Sequence, residues 1–329
     1  MHQHFLLTAD ARTINLARIM KMTDAEVEVM FAMIRWPETN GKPVCPKCNC
    51  DSSYDCRRPN GSPRWRCKKC LKDFSLTSGT SFAYHKLPIR DYLAATVMFV
   101  NGAKGKAALE LSRDLDVQYK TAFCLEHKLR EAVAKGVAAN QLGGIDMIAE
   151  VDGAYFGGHV RPANRKEDRI DRRLKENQSG KRKVVVVITE RGGRSKTKVF
   201  GSEDEATGFI QRSLGKGTTV HADESNAWND LHGRFKTLRV NHSVEYKGKD
   251  GACTNNAESY FSRLRRSEWG VHHHISGQYL RRYAAEMAWR EDHRRDDNGN
   301  LTTALISLSM ARGHSVDWRG YWRRWEIAA

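Results

Sequence analysis

Three acidic residues fall where acidic residues can do metal chemistry. Asp152 closes the apolar run Met147-Ile148-Ala149-Glu150-Val151, and Asp223 follows Thr218-Thr219-Val220-His221-Ala222. Glu258 comes 35 residues after Asp223, inside Thr254-Asn255-Asn256-Ala257-Glu258-Ser259-Tyr260-Phe261. The two apolar runs predict strands, each with its acid at the end. Carboxylates at the ends of neighbouring core strands, with another from a helix packed against them, can hold two divalent ions. One ion lowers the pKa of an attacking hydroxyl and the other steadies the leaving oxygen. Carboxylate ligands favour Mg²⁺ or Mn²⁺ over softer ions. Any one of these acids alone would read as a solvated strand end or a helix cap; the triple pattern points to chemistry. Arg265 follows Glu258 by seven residues and shares its helix face with Asn255 and Ser262. Glu150 faces the same side of its strand as Asp152 and is an accessory candidate. His221 shares a face with Asp223, as a tuning group or a satisfied core histidine. The run His272-His273-His274 reads as a surface or DNA-facing segment, because adjacent histidines point apart.

A second constellation is made of sulfur. Cys45-Pro46-Lys47-Cys48 and Cys67-Lys68-Lys69-Cys70 are two CxxC knuckles with eighteen residues between the inner cysteines. Each knuckle aims two thiolates at one ion, and this spacing lies in the zinc-ribbon range. A four-thiolate shell is closed, so its zinc is structural. The other cysteines, Cys50, Cys56, Cys124 and Cys253, are scattered, which suits a reducing cytoplasm better than a disulfide framework. Arg57, Arg58, Arg64, Arg66, Lys68, Lys69 and Lys72 make the ribbon basic, and Arg66, Lys68 and Lys69 are its candidate DNA contacts.

The whole chain shares that charge: 55 Lys and Arg against 39 Asp and Glu give +16 over 329 residues. Such a surplus points to a polyanionic partner, nucleic acid first. No apolar stretch is long enough to span a membrane, and Met1 to Thr13 shows no signal-peptide pattern. Residues 107–117 resemble the first helix and turn of a helix-turn-helix, with Leu111, Leu115 and Val117 packing the angle between helices. The second helix then opens at Gln118, Tyr119 and Lys120, which stay free for the major groove, and runs to about Lys135.

The elements that must position these groups follow from periodicity. Thr23-Asp24-Ala25-Glu26 predicts a capping box ahead of a short helix ending near Arg35. Helices are expected over the next segment, one beginning at Pro88 and burying Tyr92, Leu93, Val97 and Val100. Strands are expected at 147–152, 184–188 and 197–200, a helix at 203–214, and a strand at 218–222. A short helix from Ser225, a strand at 237–240 and a helix from about Thr254 complete the series. Three antiparallel strands and then alternating helices and strands is the order of an RNase-H-like α/β fold. Residues 161–183 hold ten Lys or Arg against four Asp or Glu and read as a mobile basic loop. Past Arg294 the chain reads as polar, then as a packed C-terminal helix carrying Trp318, Trp322 and Trp325.

Nearly the whole chain resembles the IS1595/ISXO2-like insertion-sequence transposases. The matching stretches are Arg35-Trp36-Pro37, the Cys45 knuckle, Trp65-Arg66-Cys67-Lys68-Lys69-Cys70 and Phe74-Ser75-Leu76-Thr77-Ser78-Gly79-Thr80. The run from Leu111 to Ala122, Val151-Asp152-Gly153-Ala154-Tyr155-Phe156-Gly157-Gly158, and the segment from Thr254 to Arg266 complete them. The resemblance implies an RNase-H-like DDE catalytic domain, Mg²⁺ dependence, and movement of a DNA element flanked by inverted repeats. It places Asp152 and Asp223 at the two aspartate positions and Arg265 at a basic one. For the third metal position it leaves Glu258 and Asn255 as rivals. Asn256-Ala257 stands where Gly-Ile is more usual.

The expected organisation is a helical segment over 1–40, a zinc ribbon over 41–80 and a helical DNA-binding segment over 81–140. The catalytic domain covers 141–295, and a tail or helix 296–329. The expected function is cleavage and strand transfer at transposon ends with Mg²⁺ or Mn²⁺ and a structural Zn²⁺. The chain would act as a homodimer or higher oligomer on DNA, in a bacterial cytoplasm at the nucleoid. The rival functions are a DNA-binding regulator with an inert RNase-H-like domain, or a structure-selective nuclease.

Overall fold

Alternating apolar runs and short polar breaks resolve, in the computed structural model, into ten strands and nine α-helices among the described residues. Those residues are 4–84, 86–157, 163–171, 177, 180–240, 248, 251–311 and 313–320. In chain order they form α1 (Leu16–Lys21), α2 (Asp24–Arg35), β1 (Ser53–Asp55), β2 (Trp65–Cys67), β3 (Asp73–Phe74), α3 (Ile89–Asn101), α4 (Ala108–Asp114) and α5 (Tyr119–Ala139). There follow β4 (Leu142–Gly143), β5 (Ile148–Phe156), β6 (Lys183–Glu190), β7 (Ser195–Phe200), α6 (Thr207–Ser213), β8 (Leu214–Gly215) and β9 (Thr219–Ala222). The series ends with β10 (Lys236–Arg239), α7 (Asn255–Ser267), α8 (Leu280–Asp292) and α9 (Asn298–Met310). The chain divides into two compact units, Met1–Lys135 with Arg295–Ala329, and Gly136–Arg294.

In the first unit α3 is apolar nearly all round and buries Tyr92 through Val97, Phe99 and Val100. A helix of that kind has to be covered on several sides, and α1, α2 and α9 pack against it. The capping box forms as expected: Glu26 N–H donates to Thr23 Oγ1 and Thr23 N–H to Glu26 Oε2. α2 ends at Arg35, whose guanidinium donates to the carbonyls of Ser75, Leu76 and Ser78. Trp36 meets Trp65 edge-on at 5.7 Å, and Trp65 meets Phe74 at 5.8 Å. The residues around the knuckles thus clasp the three-stranded ribbon sheet β1-β2-β3 to α2.

The stretch after Arg294 differs from its expected polar character. α9 buries Thr302, Leu305, Ile306, Ser309 and Met310 at helical spacing. The expected helix at Trp318 is instead a run of turns over residues 316–320. Ser315 Oγ and the Val316 N–H both donate to the buried Glu131 carboxylate, and Trp318 stacks on His127 at 4.4 Å. Those side-chain anchors hold this segment without a helical ladder. Trp322 and Trp325 lie outside the described residues.

The second unit is built on a five-stranded sheet in the order β10-β9-β5-β6-β7. β5, β6 and β7 are antiparallel neighbours, while β9 runs parallel to β5, and β10 parallel to β9. Side chains alternate across a strand, so Ala149, Val151, Val184, Val186, Ile188, Val220 and Ala222 fill one face. They pack with Phe209, Ile210, Trp228 and Leu231. α7 lies against β5 and β6, and α8 against β7. Two expected helices are tighter in part: Asp204–Ala206 and Asn226–Gly233 are 3₁₀ turns. β5 is longer than expected. It continues past Asp152 to Phe156 because β6 pairs along it from Ala149↔Glu190 to Phe156↔Lys183.

Candidate functional site

Asp152 therefore sits in mid-strand, and what ends beside it is the neighbouring strand. The β5–β9 ladder runs from Ile148↔Thr219 to Val151↔Ala222 and stops there. Asp152 and Asp223 are the next residue of each parallel strand, so they emerge at the same level. Glu150 faces the same side as Asp152 but is fully buried. Its carboxylate accepts the backbone N–H of Asn256 at 2.7 Å and of Ala257 at 3.2 Å, and pairs with Arg191 Nε at 3.0 Å. A carboxylate against the unsatisfied amides of a first helical turn is a favourable placement. Glu150, an accessory candidate on sequence, thus anchors the start of α7, the helix that presents Asn255 and Glu258 on its exposed first turn.

His221 is buried and satisfied. The Cys253 N–H donates to its Nδ1 at 3.1 Å, and Arg191 Nη2 lies 3.1 Å from the same atom. With donors on Nδ1, the neutral ring carries its proton on Nε2. Asp223 is oriented by two donors to Oδ1: the Trp228 indole at 2.6 Å and the Ser225 N–H at 3.2 Å. Arg239 Nη2 donates to the Ser225 carbonyl at 2.5 Å, and burial pulls its pKa down against the nearby charge of Asp223.

A further carboxylate joins them. Glu203, just before the turn that opens α6, accepts a hydrogen bond from Ser225 Oγ at 3.0 Å and lies against the backbone of Gly153. Burial and then the charge of Asp223 push the Asp152 carboxyl up to about 7. Glu203 and Glu258 add to that rise, while the Gly153 N–H opposes it. Burial, then Asp223 and Asp204, also raise Glu203, against the Ser225 hydroxyl. Sequence alone missed Glu203 and Trp228; the one available signal was a glycine inside a strand, which marks close approach by another group.

Arg265 is exposed two turns along α7, over the Phe261 ring at 5.9 Å. His272 packs edge-on against Tyr283 at 4.7 Å, and only His273 and His274 are exposed. Within the basic insert, residues 163–171 carry no helix or strand, and 164–171 are exposed.

In the first unit the four thiols of Cys45, Cys48, Cys67 and Cys70 converge, all within 4.8 Å of one another. The two knuckles share one geometry. Asn49 N–H donates to the Cys45 carbonyl and Leu71 N–H to the Cys67 carbonyl, with φ of 57° and 55° at the residue after each knuckle. Hydrogen bonding by the Cys70 N–H leads in pulling the Cys67 thiol down to about 6. Donor type and convergence fit a structural zinc. Among the described residues no three carboxylates converge so tightly. The acidic site is more open than a single four-ligand shell. Arg66, Lys68 and Lys69 are exposed; Arg66 pairs with Asp73 at 2.8 Å, and Lys68 lies over the Tyr54 ring. Gln118, Tyr119 and Lys120 are exposed at the start of α5.

A four-cysteine ribbon and a mixed sheet with paired aspartates define a class of chain that comparison with known families makes specific. Residues 141–292 match the ISXO2-like transposase domain, and residues 22–73 match the transposase zinc-ribbon domain. The two matches together cover more than half the chain, which belongs to the ISXO2-like (IS1595) transposase family. No curated protein matched the chain. No described helix is long and apolar enough to cross a membrane.

Proposed function

We propose that this chain is the DNA transposase of an insertion sequence, binding terminal inverted repeats and catalysing metal-dependent cleavage and strand transfer. The observation that carries the reading is the Val151↔Ala222 register, which brings Asp152 and Asp223 together beside the helix of Glu258. The three antiparallel strands, then alternating helices and strands, support an RNase-H-like fold for the second unit. Asp152, Asp223 and Glu258 would hold divalent cations, Mg²⁺ or Mn²⁺, since the donors are all oxygen; burial first, and then the charge of Asp223, raises Asp152. When bound, such ions supply Lewis-acid activation of an attacking hydroxyl and stabilisation of the leaving oxygen. Trp228 and Ser225 orient Asp223, Glu150 holds the helix that carries Glu258, and Arg265 meets DNA phosphate.

In the first unit, α4, the turn through Asp116 (φ 50°) and α5 support a helix-turn-helix. Leu111 is buried at its angle, and Gln118, Tyr119 and Lys120 are open to the major groove. Arg66, Lys68 and Lys69 add phosphate contacts. The experiment is cleavage and joining of inverted-repeat DNA by variants. Asp152→Asn and Asp223→Asn should abolish both steps and leave DNA binding intact. Glu258→Gln as damaging as these, with Asn255→Ala retaining activity, makes Glu258 the third ligand; the reverse order moves that role to Asn255. Strand transfer by the Asp152→Asn/Asp223→Asn double variant overturns the reading. Hydrolysis without joining by the unaltered chain favours a nuclease.

A further inference from the structure

Glu203 has the local position of a helix-starting residue but does not act as one. Its backbone is already αR (φ −66°, ψ −35°), and its side chain makes no capping hydrogen bond. The carboxylate instead turns to β5. A Cβ on Gly153 would come within 2.7 Å of Glu203 Oε1 and 3.0 Å of its Cγ, so only glycine leaves room for the acid in this position. Ser225 aligns two acids at once, its hydroxyl donating to Glu203 Oε2 and its N–H to Asp223 Oδ1. Among the described residues Ser225 is the one hydrogen-bond partner of the Glu203 carboxylate, which leaves Oε1 on the Gly153 side. Among them too, Asp152, Asp223 and Glu203 have no ion-pair partner. Carboxylate oxygens facing one another in a half-buried site repel, and a divalent cation between them is what such oxygen ligands accommodate.

We propose that Glu203 is a further carboxylate ligand of the divalent-cation site, seated in the space that Gly153 leaves open beside Asp152 and Asp223. The inference rests on the metal-dependent reading above and extends it to a residue contributed from the start of α6. Gly153 and Ser225 are then positioning residues, one by having no side chain and the other through its hydroxyl.

The test is Mn²⁺ titration of the full-length chain without DNA, followed by the electron paramagnetic resonance signal of free Mn²⁺. Glu203→Gln should weaken Mn²⁺ binding by about tenfold or more, the scale expected when a group supporting a metal site is lost, with an unchanged far-UV circular dichroism spectrum. Gly153→Ala keeps every charge but pushes the Glu203 carboxylate out of its seat, and should weaken Mn²⁺ to a similar degree. If Glu203→Gln does not fold, Gly153→Ala decides alone. Unchanged Mn²⁺ affinity in these variants, with Asp152→Asn still weakening it, overturns the role of Glu203 and leaves the metal site standing. Absence of Mn²⁺ binding by the unaltered chain, or equal binding by Asp152→Asn, overturns both.

Discussion

Glu150 accepts the backbone N–H of Asn256 at 2.7 Å, joining the middle strand of the sheet to the first turn of α7. The same carboxylate takes the Ala257 N–H, the Asn256 side-chain amide and Arg191 Nε, and it is fully buried. A buried acid so enclosed stabilises only while every partner is present. Two residues along the same strand face stands Asp152, and one residue past Ala257 stands Glu258. The position of α7 and the geometry of the acidic site are therefore coupled through Glu150.

Glu150→Gln keeps the volume but removes the charge that Arg191 and two amides need. We expect a loss of about 2–3 kcal/mol in unfolding free energy, from weakened charge-assisted hydrogen bonds at a buried site. Strand transfer should fall as well, because the first turn of α7 is no longer anchored. Urea denaturation of the full chain checks the first part; an unchanged midpoint would remove Glu150 from this role.

Asp292 gives a prediction in pH. Burial raises its carboxyl to about 6, against the Ser195 N–H that donates to Oδ1 at 2.8 Å. Its unfolded value is about 3.9. Below that, the group is protonated in both states. Between about 4 and 6 the unfolded chain ionises first, so the folded state binds more protons and stability falls as pH rises. The loss at pH 7 should be about 1–2 kcal/mol, allowing for partial solvent contact. Asp292→Asn retains an acceptor for Ser195 and should be more stable at pH 7, with a flatter profile through that window. Thermal melts at pH 4 and pH 7 read both; a variant less stable at pH 7 would contradict it.

The ribbon offers a paired test. Cys67→Ser should lose the bound zinc, measurable by metal analysis, and with it the fold of β1-β2-β3, since so small a sheet has little core of its own. Leu71, the residue after the second knuckle, is 67% exposed and holds φ of 55°. That conformation costs a side chain like leucine about 1–2 kcal/mol, and the equivalent place after the first knuckle is Asn49. Leu71→Asn should therefore stabilise the zinc-loaded ribbon by about 1 kcal/mol. A lower melting temperature for that variant would show that the leucine side chain makes a contact worth more than its strain.

The parts legible in the sequence are those whose partners lie within a few residues. The knuckles close through hydrogen bonds from Asn49 back to Cys45 and from Leu71 back to Cys67. The capping box at Thr23 and Glu26 is local in the same sense. Such features depend on spacing, and spacing is what a sequence displays. Asp152 and Asp223 were visible as acids attached to apolar runs, but their meeting depends on the Val151↔Ala222 register, set by parallel pairing across some seventy residues of chain. Glu203 had no periodic signal, because it acts through long-range contacts with Gly153 and Ser225; Trp228, only five residues from Asp223, reads in sequence as one more buried apolar residue. On its strand Glu150 looks like a twin of Asp152, and only the packing of α7 over it makes one a fully buried anchor and leaves the other half-buried at the site. Local hydrogen bonding thus decided the ribbon knuckles and the capping box of α2, while burial and register, which exist only once the sheet has formed, decided where the acids and the start of α7 sit.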